Sequence, residues 1–217
     1  MGKFLVGINV TLAVVLLLLS SAKASADQWQ EASQVIEKST QAMLILLSDD
    51  GSDALVDSKS KLKVVPLDQA SKLLGMESIF DTVIDFESLS KGVMAKYYRR
   101  ALPSQIDEFQ IVFKRSLLKT YLGAVTSLSI NNFHIKPNPT ISKKTDRQKV
   151  WVKVMASGSS YDIQYAMKKR QQGWRVTNVT IDGINLGLAF RKQFSVSMTQ
   201  NKGDIDKVIE FWNSKTN

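Results

Sequence analysis

The chain has 217 residues, 44% of them apolar and 23% charged, a globular composition that argues against a disordered chain. It contains no cysteine, which excludes disulfides, thiolate metal sites, cysteine nucleophiles and a lipid-modified N-terminal cysteine. The formal charge of +9 is unevenly spread: residues 27–110 carry 9 Lys and Arg against 14 Asp and Glu, whereas residues 111–200 carry 15 against 3.

Residues 1–26 have the layout of a secretory signal peptide. Lys3 supplies the positive start, Phe4 to Leu19 the apolar stretch, and Ala24-Ser25-Ala26 the small-residue cleavage site. Gly7, Asn9 and Thr11 weaken the stretch as a membrane anchor, which needs about 20 mostly apolar residues. Cleavage after Ala26 is expected, leaving residues 27–217 as one domain, with 27–128 mainly helical and 129–217 a sheet plus C-terminal helices. Export sets nucleic acid aside as a partner. It leaves anionic membrane surfaces, lipid headgroups and acidic proteins for the basic half.

From Trp29 onward Ala32, Ile36, Met43 and Leu47 share one helical face. Asp49-Asp50-Gly51-Ser52-Asp53 ends that helix; it lacks the ligand spacing of a calcium loop and reads as a solvated one. Ser58 to Lys63 reads as a basic linker before Val64-Val65-Pro66. A less regular helix is expected over Leu67–Phe80 and a third over Phe86–Arg99, with Asp85 as its cap. After the break at Leu102-Pro103-Ser104 comes the clearest element in the chain. Ile106, Phe109, Phe113, Leu117, Tyr121, Val125 and Leu128 form an apolar stripe about 33 Å long at the helical rise.

Beyond Ser129 the period changes to two. Strands are expected at Ser129–Lys136, Lys149–Ala156, Tyr161–Lys169 and Trp174–Asp182, joined by the short turns Gly158-Ser159-Ser160 and Gln171-Gln172-Gly173. Helices over Leu186–Thr199 and Asp204–Trp212 close the chain. The architecture expected is α+β: an antiparallel sheet of about four strands covered by several helices, which enclose an apolar cavity.

Catalytic patterns are sparse. His134 is the only histidine, and no nucleophile elbow accompanies it. There is no zinc constellation, phosphate loop or dinucleotide fingerprint, so neither a metal nor a cofactor is expected. Asp182, in Ile181-Asp182-Gly183-Ile184-Asn185, reads as a strand-ending turn rather than a general base. Trp174 reads as core.

The blocks Ile84-Asp85-Phe86, Gly92-Val93-Met94, Tyr97-Tyr98-Arg99, Gln105, Phe109, Phe113, Leu117 and Thr120-Tyr121 are followed in order by Trp174-Arg175-Val176, Val179, Ile181-Asp182-Gly183-Ile184, Phe190-Arg191 and Gln193-Phe194. In that order and spacing the chain resembles the bacterial periplasmic phospholipid-binding proteins of the toluene-tolerance (Ttg2-type, MlaC-like) family, the soluble component of the Mla lipid-asymmetry pathway. It departs from the family's usual Leu-Gly at or near Val93-Met94, its Asp at Asn178 and its Ser at Asn185, positions read as outside the apolar lining.

The resemblance implies a periplasmic, non-enzymatic shuttle that carries phospholipid between an outer-membrane lipoprotein–porin complex and an inner-membrane ABC transporter assembly, and a monomer is expected. The lining candidates are Phe109, Phe113, Leu117 and Tyr121 from the stripe, with Val152, Val154, Ile163, Tyr165 and Val176 from the sheet. Lys143, Lys144 and Arg147 are the expected docking cations. Two alternatives stand beside this reading: a binder of another apolar ligand, such as a quinone or solvent molecule, and an enzyme on a cone-shaped α+β fold using Asp182 or His134.

Overall fold

A computed structural model describes residues 4–47, 69–127, 130–137, 142 and 144–214; side chains are described from Ala26 onward, except at 69–70, 121–127 and 131. The expected loop at Asp49–Asp53, the linker at Ser58–Lys63, Leu128, Lys143 and the side chains of Tyr121 and Val125 lie outside these. Helix α1 spans Phe4–Leu47, α2 Gln69–Val83 and α3 Phe86–Met94, which runs into a 3-10 turn at Ala95–Tyr97. Helix α4 spans Pro103–Ser127. Strands β1 (Ile130–Lys136), β2 (Arg147–Ala156), β3 (Ser159–Arg170), β4 (Gly173–Ile181) and β5 (Ile184–Asn185) follow, then α5 (Leu186–Gln200) and α6 (Ile205–Ser214).

The sheet is an antiparallel meander in the order β1-β2-β3-β4-β5, so every strand pairs with its neighbour in sequence. It has five strands where about four were expected. The addition, β5, is two residues long, too short for any period to register. It forms because Asp182 (φ 47°) and Gly183 (φ 83°) make a two-residue turn of left-handed backbone. The third helix also ends earlier than expected. Ala95 takes φ 50°, a conformation outside the α-helix, and Tyr98 N–H then bonds to Ala95 O.

Two layers meet. Ala32 and Ile36 of α1 lie on Val150, Val152, Met167, Trp174 and Val176 of the sheet. Trp29 Nε1–H donates to Lys149 O at 3.1 Å, and Glu31 accepts from both Lys169 Nζ (2.8 Å) and Trp174 Nε1–H (3.1 Å). Three strands thus hold this stretch of α1. Beside this layer, α3, α4, α5 and α6 bury their own core around Phe109, Phe113, Phe194 and Trp212. In α6, Ile205, Val208, Ile209 and Trp212 are all buried, the spacing of a single helical face.

The junction of the layers is pinned at Asp85. Its carboxylate caps α3 by accepting from Ser88 N–H (2.9 Å) and pairs with Arg170 of β3 at 2.6 Å, while its own N–H donates to Val176 O. Burial alone would raise the carboxyl's pKa. The Ser88 N–H and the Arg170 guanidinium outweigh burial and hold it below the usual range.

Candidate functional site

A cavity lies where the two layers part. The sheet supplies Ile163 and Tyr165 from β3, with Val176, Asn178, Val179 and Ile181 from β4. Helix α1 adds Ile36, Ser39, Thr40 and Met43, and the end of α2 adds Phe80 and Val83, followed by Ile84. Leu89 of α3, Phe113 and Leu117 of α4, and Leu186, Gly187 and Phe190 of α5 complete the wall. None of these side chains is charged.

The few polar groups on the wall are largely satisfied by the protein. Ser39 and Thr40 donate their hydroxyls to Val35 O and Ile36 O, one turn back on α1, and so present little hydrogen-bonding demand to the cavity. Asn178 Oδ1 accepts from Gly187 N–H at 3.1 Å, and Asn185 Oδ1 accepts from Leu188 N–H at 3.0 Å. These two amides cap the start of α5. A Cβ on residue 187 would stand 2.6 Å from Asn178 Oδ1, so the close approach of helix and strand depends on glycine there. The cavity volume is about 170 Å³, below the 300–1,000 Å³ usual for small-molecule pockets. Two acyl chains would need a space near the top of that range or beyond it.

Of the nine lining candidates, Phe113, Leu117, Ile163, Tyr165 and Val176 are on the cavity wall. Phe109 is not. It is fully buried in the helical core, stacked on Phe113 and edge-on to Phe194 and Trp212. Val152 and Val154 are also absent from the wall, because α1 settles on β2 through the small Ala32 and covers that part of the sheet. The side chain of Tyr121 is outside the described residues.

Several wall residues escaped the sequence reading. Ile36 and Met43 were on the α1 stripe, and Val179, Ile181 and Phe190 were in the resembling blocks. No signal distinguished them from ordinary core. Asn178 had been placed outside the lining and is on it. Leu186 and Gly187 reach the wall because the β4–β5 turn brings α5 back across the sheet.

The residues weighed for catalysis have structural places. Asp182 accepts from Asp162 N–H through Oδ1 (2.8 Å) and donates its own N–H to Asp162 O (2.9 Å), clipping the β4–β5 turn to β3. His134 is exposed on β1, opposite Lys153. Trp174 is 4% exposed and bonded to Glu31. Among the described residues no cluster of His, Asp or Glu is arranged to hold a metal ion.

A family model described as MlaC protein matches residues 49–214. The toluene tolerance protein ttg2D of Pseudomonas putida is 38% identical over 139 residues, which are 63% of this chain and 64% of that relative's length. A solved structure from Ralstonia solanacearum, described as a phospholipid-binding protein in complex with a phospholipid, matches with a TM-score of 0.67. It is 19% identical, and the match covers 86% of this chain and 97% of that one. At this identity the likeness is one of fold.

Proposed function

Because this chain belongs to the MlaC protein family, we propose that it is a periplasmic phospholipid carrier, exported by cleavage after Ala26, whose cavity encloses acyl chain and leaves the headgroup outside. The observation that carries this reading is the wall itself: mostly apolar side chains from both layers, no charge among the described residues, and the Ser39 and Thr40 hydroxyls already bonded to their own helix. Transfer of each CH₂ from water to such a wall is worth about 0.8 kcal/mol, so a 16-carbon chain gains on the order of 12 kcal/mol before entropy costs. Lipid does not cross water unassisted at that price.

The carrier takes lipid from one membrane complex and delivers it to another, an outer-membrane lipoprotein–porin complex and an inner-membrane ABC transporter assembly, and works as a monomer without a reaction step. Its cavity of about 170 Å³ is smaller than such a cargo needs. Loading therefore widens the gap between α1, α5 and the sheet. The same small volume favours one alternative, a compact apolar molecule such as a quinone or solvent.

Native mass spectrometry of the exported protein, purified without detergent, separates these readings. Near-stoichiometric phospholipid is expected. A smaller apolar molecule in its place, or an empty protein that refuses lipid from vesicles, would overturn the carrier reading.

A further inference from the structure

The outer side of α5 is unlike its inner side. Leu188 is 55% exposed and Val196 48% exposed, eight residues apart and so on one face, and Ile184 is 65% exposed just before the helix begins. Exposed aliphatics in such a row are an energetic cost in water and mark an interaction surface. Arg191 and Lys192, both exposed, stand between them in sequence. A groove of about 440 Å³ separates this face from the end of α3 and the 3-10 turn, where Val93, Met94, Lys96 and Tyr97 form the other wall. Arg191 Nε–H donates to Gly92 O at 2.8 Å and ties the two walls together. Among the described residues no acidic side chain lines the groove. Two tyrosines sit beside the cations: Lys96 Nζ lies 5.1 Å from the Tyr97 ring centre and Lys91 Nζ 5.0 Å from that of Tyr98.

We propose that this face of α5 docks directly on an anionic phospholipid bilayer. Projecting aliphatics flanked by cations and half-exposed tyrosines are what an interfacial surface requires. The aliphatics enter the acyl boundary, the tyrosines sit at headgroup level, and the cations meet phosphate. The position suits a lipid carrier, because Leu186, Gly187 and Phe190 of the same helix line the cavity. At this point one helix separates cavity from groove. The basic residues singled out from the sequence are elsewhere: Lys144 and Arg147 line a separate groove, along with Lys149 and Lys168 of the sheet.

The inference uses the carrier reading only for the purpose of docking, so vesicle binding and bound lipid are measured separately on the same preparation. The exported protein, its mass checked for loss of residues 1–26, is co-sedimented with phosphatidylglycerol-containing vesicles and with pure phosphatidylcholine vesicles, at low and high salt. Binding to the anionic vesicles, weakened by salt, is expected. The double substitution Lys96→Gln/Lys192→Gln should lower it about 30-fold, at about 1 kcal/mol per lysine. Leu188→Asp should also abolish most of it, with Val196→Asp as a second variant should the first fail to fold. Lys144→Gln/Arg147→Gln should leave it unchanged. Absence of vesicle binding, indifference to lipid charge, or an equal loss from the Lys144/Arg147 pair would overturn the proposal. Absence of binding would leave an acidic protein face as the occupant. Co-purified lipid unchanged in the Lys96/Lys192 variant would show that the cavity is intact whichever result is obtained.

Discussion

The Asp85 carboxylate performs two tasks, capping α3 and pairing with Arg170, and its loss should be felt in both. Asp85→Ala removes the α3 cap, worth about 1 kcal/mol. It also removes the pair with the partly exposed Arg170, worth about another 1 kcal/mol after screening. A fall of about 2 kcal/mol in denaturant stability at pH 7 is expected. The sign of its pH dependence follows from a carboxyl held below its ordinary pKa. That contribution is present above about pH 4, the unfolded value, and disappears as pH falls through the lower folded value. Melts of the two proteins should therefore converge in acid; a gap independent of pH would show that the charge is not its source. Gly187 is constrained by space rather than charge. Gly187→Ala sets a methyl 2.6 Å from Asn178 Oδ1 and should cost about 1–3 kcal/mol by overpacking, with less lipid retained per molecule. Adding Asn178→Ala to that variant makes room, so a double-mutant cycle should show positive recovery, although a cap is lost.

At the level of helices and strands, α4 divides its stripe between two duties. Phe109→Ala should cost about 3–5 kcal/mol through the hole it leaves, yet folded molecules should still carry lipid. Ile163→Asp, on the half-buried cavity wall, should do the reverse, lowering lipid content about tenfold or more while the fold persists. Extracted lipid per folded molecule checks both. The difference explains what could be read in advance. Period and caps placed α4, the four long strands, α5 and α6 within a few residues, because burial of one face imposes the period. Period could not tell a stripe residue against another helix from one beside a gap. Phe109 and Phe113 are one turn apart on the same stripe, and only the second reaches the cavity. Val152 and Ile163 are cross-strand partners, and α1 covers the first. A fifth strand of two residues leaves no periodic trace, and Ala95 breaks α3 through a backbone angle with no glycine to announce it.

On the scale of the whole molecule, a cavity of about 170 Å³ between two layers with separate cores would have to widen to load the proposed lipid. The lipid-bound form should have a larger collision cross-section by ion mobility than the empty form, and an equal one would mean that the cargo displaces nothing. The layers also have a consequence for the order in which the chain can fold. Trp29 and Glu31 of α1 find their partners at Lys149, Lys169 and Trp174, 120 to 143 residues later. A chain synthesised N-terminus first brings α1 out long before β2, β3 and β4 exist to receive it. The leading segment has nothing to dock on until most of the polypeptide has emerged. The strands late in the chain are what complete its beginning.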